Sequence, residues 1–126
     1  MGEPTNKIYT GPVELALDLL AGKWKPLIMQ QLRGGVGCFG ELKRSLPLVN
    51  QRTLQALLRE LERDAMVERV FHTEVPLRVE YRLTSEGQHL VPILDALESF
   101  GRRYAGSHGI ELLGEEDDLP VILAAG

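Results

Sequence analysis

The sequence predicts a mainly α-helical domain with one small β-hairpin, and two observations support this fold class. Apolar residues recur every three or four positions in several stretches before residue 65 and after residue 84, which is the period of one helical face. Residues 67–73 and 79–83 lie between those stretches and contain the β-branched and aromatic residues that strands favour, in partial alternation. We therefore expect helices on both sides of the hairpin along the chain.

The composition is that of one soluble globular domain. With 126 residues, 44% hydrophobic and 25% charged, the chain can bury one core, and two independent domains are not expected. We divide it into an N-terminal arm (1–11), a folded domain (12–105) and an acidic tail (106–126). No apolar run approaches the roughly 20 residues that span a bilayer, and the N-terminus lacks a signal-peptide pattern. We expect a cytoplasmic protein with no membrane partner.

Cysteine, histidine and glycine residues give no sign of a metal, a cofactor or an enzyme. Cys38 is the single cysteine, which excludes an intrachain disulfide and a cysteine-built zinc site. The three histidines have no ligand spacing with one another. The glycines near residue 35 form neither a P-loop nor a dinucleotide-binding motif, and no local motif groups a nucleophile with a base.

Proline and glycine positions set the limits of the first two helices. Pro12 can begin a helix that runs towards Ala21, and its apolar residues surround it almost completely. Such a helix is buried on two sides, which in a small protein indicates a partner subunit. Gly22 ends this helix, Pro26 can start the next one over 27–32, and glycines end that one.

The next two predicted helices form a helix-turn-helix. A short third helix covers 39–46, and Pro47 prevents its continuation. Asn50 is a good N-cap for the fourth helix, 50–64. Two helices joined by a short turn, with the second longer and more basic, are typical of this motif. The apolar face of the fourth helix, spaced at i, i+3, i+4 and i+7, consists of Leu54, Leu57, Leu58 and Leu61.

The hairpin and the last helix complete a winged helix-turn-helix. The strands 67–73 and 79–83 join through a short turn at Pro76 and Leu77 to make the wing. Thr84 then caps a last helix, 85–104, in which Pro92 either produces a kink or marks a restart. The apolar stripe of this helix extends beyond what one small winged domain can cover. We therefore expect a homodimer formed through the first and last helices.

The outer face of the fourth helix has the residue types that read a DNA major groove. Arginine can donate two hydrogen bonds to guanine, glutamine can pair with adenine, and a small alanine allows close approach. The net charge is −4, but residues 1–110 hold 14 bases and 13 acids, or +1, and residues 42–59 hold four bases and no acid. Phosphate binding depends on such a local patch. The predicted DNA-contacting residues are Lys43, Arg44, Asn50, Gln51, Arg52, Thr53, Gln55, Ala56, Arg59 and Arg78.

Within this set, Lys43 and Arg44 are expected to hold phosphates rather than read bases, and Arg78 to reach backbone phosphate or a narrow minor groove. A solvated helix face is the alternative interpretation, because Glu60 and Glu62 could pair locally with the arginines.

Four segments together resemble a known family: ELALDLLAGKWKPLIMQQL, FGELKRSL, NQRTLQALLRELERDAMVERV and VPLRVEYRLTSEGQHLVPILDAL. Their combination of GKW, LLRELE and VEYRLT over residues 12–104 resembles the HxlR-type winged helix-turn-helix regulators, a MarR-like family. The resemblance implies bacterial or archaeal homodimers that bind palindromic double-stranded DNA operators and repress or activate nearby genes. It also implies that helix 50–64 reads the major groove, that hairpin 73–79 touches DNA beside it, and that the first and last helices dimerise.

One departure from the family pattern concerns the signal. Many members carry a cysteine directly before the proline of the first helix, and in some it senses oxidants or electrophiles; here that residue is Gly11. No thiol switch carries over at this site, and Cys38 is either a small buried apolar residue or a sensor elsewhere. A small-molecule effector could instead occupy a pocket at the dimer helices, with Leu20, Trp24, Leu94 and Leu97 as candidate walls; core packing is the alternative for Trp24.

Three function hypotheses remain at this stage. The first is a homodimeric DNA-binding transcriptional regulator, with repression as the default outcome. The second is a ligand-gated sensor, and the third is a protein-interaction module that does not bind DNA. The acidic tail is either a solvating extension or a segment that docks on the domain and tunes DNA affinity.

Overall fold

A computed structural model describes residues 7–35, 37–73 and 78–112 of the chain. Within these residues six helices and three strands pack in the mainly α, winged helix-turn-helix arrangement that the sequence predicts. None of the described helices is long and apolar enough to cross a membrane. In chain order the elements are α1 Pro12–Leu19, α2 Trp24–Leu32, β1 Gly37–Cys38, α3 Phe39–Ser45, α4 Gln51–Arg63, β2 Val67–His72, β3 Arg78–Leu83, α5 Ser85–Gln88 and α6 Val91–His108.

The core lies between α2, α3, α4, the base of the sheet and the start of α6. Ile28, Met29 and Leu32 bury one face of α2, and the predicted apolar face of α4 packs against it, with Leu57 at the margin. Burial of a leucine-sized side chain contributes about 1.5–3 kcal/mol relative to exposure. This core therefore fixes which face of α4 points outward. The α4 residues buried in it are Leu54, Leu58 and Leu61.

The sheet is antiparallel, with strand order β1-β3-β2. The wing pairs Val67 with Leu83 at its base and His72 with Arg78 at its outer end. The predicted turn at Pro76 and Leu77 lies outside the described residues. Strand β1 was not predicted, because two residues are too few to show an alternating pattern.

Several helix limits differ from the prediction, including the end of α1, which lies at Leu19 rather than near Ala21, and proline accounts for two of the differences. Helix α2 begins at Trp24, ahead of the predicted start at Pro26. Pro26 is tolerated inside the first turn because the N–H that proline lacks would have no intrahelical partner there. The predicted last helix is divided into α5 and α6, with Pro92 in the first turn of α6, so the restart is correct. Helix α6 then continues to His108, beyond the predicted end at Tyr104.

Gly11 is the N-cap residue of α1, and its backbone is extended, with φ −178° and ψ 177°. This conformation suits a residue that precedes a proline. A Cβ atom placed on Gly11 would have no heavy atom within 4 Å.

The base of the wing is joined to α5 by close backbone packing. The Thr84 hydroxyl accepts a hydrogen bond from the Gly87 N–H at 2.9 Å and donates one to the Ala65 carbonyl at 2.5 Å. A Cβ on Gly87 would lie 2.2 Å from the Met66 carbonyl oxygen, so this position requires glycine. The wing is therefore fixed to the domain at its base.

Candidate nucleic-acid interface

Helix α4 begins with the side-chain cap that the sequence predicts. The Asn50 Oδ1 accepts the backbone N–H of Thr53 at 2.8 Å, which satisfies one of the unpaired N–H groups of the first turn. Asn50 is exposed. Its oxygen holds the cap, and its amide NH₂ group has no hydrogen-bond partner among the described residues.

The outer face of α4 carries polar side chains that are exposed and not engaged with other elements. Gln51, Arg52, Gln55 and Arg59 are exposed, and Thr53 and Ala56, also predicted to contact DNA, are half-buried. Among residues 7–35, 37–73 and 78–112, no ion pair involves Arg52 or Arg59. Both guanidinium groups can therefore bind an external partner without first breaking a salt bridge.

The end of α3 places two more cations just before the turn into α4. Arg44 is exposed, and the half-buried Lys43 donates from Nζ to the Pro47 carbonyl at 3.3 Å. Because an ammonium has three donors, this bond leaves Lys43 with further protons for a phosphate.

Cys38 is the N-cap residue of α3 and is half-buried. Its backbone N–H donates to the Glu41 Oε1 at 3.1 Å. In the described part of the chain, no cluster of three or more His, Cys, Asp and Glu residues could hold a metal ion.

On the wing, Arg78 is exposed and lies at the start of β3. Its Nη1 is 3.6 Å from the Glu80 Oε2, and the Nε2 of His72 is 2.7 Å from the Glu80 Oε1. Glu80 therefore contacts both side chains at the outer end of the described wing. Within the ranges that the structure describes, Arg78 is the one predicted DNA-contacting residue that lies in an ion pair.

The last turn of α4 is held by ion pairs to other elements. The Lys25 Nζ is 2.8 Å from the Glu60 Oε1, and the Arg69 Nε is 2.9 Å from the Glu62 Oε2. The hydrogen bond from Lys25 lowers the pKa of the Glu60 carboxyl below its ordinary value. The alternative interpretation had Glu60 and Glu62 pairing locally with the helix arginines, whereas in the structure their ion-pair partners come from α2 and β2. Sequence reasoning missed Lys25, which has no spacing relation to Glu60.

The four predicted effector-pocket residues differ in burial. Leu20 and Leu94 are buried in the core, and Trp24 packs against it, whereas Leu97 is 54% exposed. Leu94 and Leu97 line a shallow groove of about 300 Å³ between α2 and α6. The other lining residues of this groove are Pro26, Gln30 and Glu98.

The wing, the helix-turn-helix and the unpaired basic face of α4 define the class as a winged helix-turn-helix DNA-binding protein. The family model described as HxlR-like helix-turn-helix matches residues 19–109. The chain belongs to this family. Membership confirms the predicted class, a DNA-binding transcriptional regulator.

Relatives and solved structures are similar over most of the domain. An uncharacterized HTH-type transcriptional regulator of Methanothermobacter thermautotrophicus is 45% identical over 100 residues, covering 79% of this chain and 76% of the relative. The HTH-type transcriptional regulator YtcD of Bacillus subtilis is 40% identical over 98 residues, which cover 78% of this chain and 78% of YtcD. A crystal structure of YtcD has a TM-score of 0.72 at 38% identity, covering 77% of this chain and 99% of that one. The structure of the redox regulator HypR in its reduced form has a TM-score of 0.71 at 40% identity, and the match covers 74% of this chain and 92% of the HypR chain.

Proposed function

We propose that the chain is a homodimeric regulator that binds a palindromic operator, with α4 of each protomer in a major groove. The observation that carries the proposal is the exposed face of Gln51, Arg52, Gln55 and Arg59, on which neither arginine has an ion pair in the described part of the chain. Arginine matches the acceptors of guanine and glutamine those of adenine. The half-buried Ala56 leaves space for the helix to approach the bases.

The phosphate contacts would come from both sides of α4. Lys43 and Arg44 precede it in the chain, and Arg78 stands on the wing that follows it. Such contacts fix the register of the protein on the duplex and carry no sequence information themselves. The Arg78 side chain would exchange its long contact with Glu80 for a phosphate or the minor groove.

Dimer formation is supported by exposed apolar residues on α1 and α6. Val13 is 72% and Leu17 63% exposed on α1. On α6 the exposed apolar residues are spaced four, three and four positions apart, along one helical face. A second copy of the chain would cover them and place the two α4 helices about one DNA turn apart, roughly 34 Å. These α6 residues are Ile93, Leu97, Phe100 and Tyr104.

Repression is the outcome we propose, because a dimer bound at a promoter blocks polymerase.

The signal we propose is a small-molecule effector at the groove between α2 and α6, since Leu94 and Leu97 line it and Leu97 belongs to the exposed stripe. A disulfide within one chain is impossible with Cys38 as the single cysteine. The proposal contains no catalytic step. Since its ligand is chromosomal DNA, we expect the protein to act in the cytoplasm of a bacterial or archaeal cell.

The direct test is DNase I footprinting of the full chain on DNA from upstream of its own gene, together with selection from random duplexes. We expect protection of an inverted repeat whose half-sites are one turn, or a small multiple, apart. The absence of both a footprint and a selected motif would overturn the proposal.

The oligomeric state is tested separately by analytical ultracentrifugation. Leu97→Glu should produce a monomer, because it places a charge within the stripe proposed to be buried. Phe71→Glu is the matched control, since Phe71 is 57% exposed but lies on β2, away from α1 and α6. A wild-type monomer at micromolar concentration would contradict the dimer.

A further inference from the structure

Lys25 is the one buried charged residue in the part of the chain that the structure describes, with 5% of its surface exposed. It lies on α2, and its ammonium contacts the Glu60 carboxylate of α4 at 2.8 Å. The predicted function uses neither residue. A buried ammonium carries a desolvation cost that its partners must offset, so its presence on α2 needs an explanation.

Stability alone is a poor explanation for this pair. Lys25 is buried although Glu60 is 42% exposed, and replacing a pair that contains a buried charge with apolar residues of similar volume is often neutral or stabilising. The leucines fix which face of α4 points outward, but the hydrophobic effect is proportional to buried area and has no directional requirement for a small change in tilt. An N–H···O contact, in contrast, depends on distance and angle. It therefore restricts the rotation and tilt of α4 more narrowly than apolar packing does.

Lys25 also lies where α1, α2 and α4 meet. Its groove of about 420 Å³ is lined by α1 residues, by Glu60 and by the arm residue Tyr9. Asp18 of α1 accepts the Tyr9 hydroxyl at 2.5 Å. Hydrogen bonds from Tyr9 and Lys7, with a smaller contribution from the Lys25 charge, lower the pKa of the Asp18 carboxyl. The field of Lys25 therefore acts on α1 as well as on α4.

We propose that Lys25 is a positioning residue for DNA recognition. Through Glu60 it sets the orientation of α4 on α2, so that the exposed arginines and glutamines meet the bases in register. The inference rests on the proposed DNA binding and deepens it. It concerns sequence-specific affinity, because binding to random DNA depends on charge and tolerates a small change in helix tilt.

The decisive variant is the full chain with both Lys25→Met and Glu60→Leu. Removing Glu60 alone would leave the buried Lys25 charge unpaired, whereas removing both partners should change the melting temperature little. Operator affinity, measured by fluorescence anisotropy, should fall about 5- to 150-fold, the loss of one base contact. Affinity for a random-sequence duplex should stay within about twofold of wild type, as expected for independent sites.

Lys23→Met is the matched control. It removes the same charge two residues earlier, where the ammonium is exposed and lies 4.8 Å from the centre of the Trp24 ring. The ratio of operator affinity to random-duplex affinity should be unchanged. The double variant leaves the net charge unchanged, so Lys23→Met tests only the loss of a lysine charge beside Lys25. A fall in this ratio equal to that of the double variant would overturn the proposal, since the ion pair with Glu60 would then not be needed for the effect.

Two further outcomes separate this inference from the proposed function. Wild-type operator affinity in the double variant, with loss of binding in Arg52→Ala/Arg59→Ala, would overturn the positioning role and leave the function intact. A wild-type chain that binds no duplex DNA would overturn both. Glu60→Gln and Glu60→Leu, compared where circular dichroism shows both folded, give a second measurement. Gln can still accept from Lys25, so equal operator affinities would also overturn the proposal.

Discussion

The two parts of α4 both carry exposed arginine but have different surroundings. In the first part, residues 51–59, the charged side chains are two arginines that have no ion pair among the described residues. In the last part, residues 60–64, Glu60 is bound to α2, Glu62 to β2, and Arg63 to its neighbour Asp64. Adjacent turns of one helix are therefore divided into a free face and an anchored end.

This difference shows that the ion-pair partners of a charged side chain, rather than its residue type, decide whether it is free to bind DNA. Arg59 and Arg63 are one helical turn apart and both exposed. Arg63 has an acid 3.4 Å from its Nε, and Arg59 has none in the described structure. A guanidinium that is already paired gives up part of that contact when it binds DNA. The free face is suited to binding, and the anchored end is suited to holding the helix in place.

The largest effect should come from the free face. Arg52→Ala and Arg59→Ala should each weaken operator binding by about 1–3 kcal/mol and relax specificity at one base position. Anisotropy titrations against operator variants measure both quantities. An unchanged operator affinity in the Arg52→Ala/Arg59→Ala variant would show that this face of α4 does not enter the major groove.

The cap at the start of the free face should have the next largest effect. Asn50→Ala should reduce the free energy of unfolding by about 1 kcal/mol, because the Thr53 N–H loses its acceptor. Asn50→Asp keeps the cap, so it should preserve stability while weakening DNA binding by adding a negative charge. Urea denaturation and DNA titration of both variants check this pair of outcomes. A loss of stability in Asn50→Asp equal to that in Asn50→Ala would contradict it.

Acid should release the anchored end. The pKa of Glu60 is lowered by its bond from Lys25, so its stabilising contribution is complete above the ordinary value of 4.5. It is lost as the pH falls through the lower folded-state pKa. Glu60 is 42% exposed, so solvent screening limits the contribution to about 1 kcal/mol or less. Urea denaturation between about pH 6 and pH 3 should show a shallower acid loss in Glu60→Gln than in wild type. Parallel curves of unfolding free energy against pH for the two proteins would contradict a stabilising contribution from the Glu60 carboxylate.

The smallest effect should come from Arg63. Arg63→Ala removes an exposed pair, which contributes about 0–1 kcal/mol to stability. Its cost in operator affinity should be smaller than that of Arg59→Ala, measured in the same titration. The reverse order would mean that the helix contacts DNA with its anchored end, and the division of α4 would be wrong.

Periodic and local signals in the sequence were sufficient for most of the fold. The leucines of α4, the Asn50 cap and the Thr84 cap all appear where the sequence predicts them, because each depends on residues within one or two helical turns. The family resemblance was confirmed by the family match. The DNA contacts themselves remain predictions.

The features that sequence reasoning missed are long-range. Strand β1 exists only through its pairing with Tyr81 and Glu80, and two residues show no period of their own. Lys25 looks like any lysine in a helix until α2 and α4 pack together. Pro92 was compatible with two outcomes, and only the separate α5 and α6 distinguish a restart from a kink.

Gly11 gives the chain a useful experimental property. Its extended backbone accepts any residue, and a side chain there would meet open space. In a Cys38→Ser background, a cysteine introduced at this position would therefore be a unique attachment point for a spin label. Two labels in a dimer would measure the separation of the two α1 starts by electron paramagnetic resonance. The position at which many family members carry a cysteine thus provides a labelling site, from which the distance between the two subunits can be followed as DNA or a ligand binds.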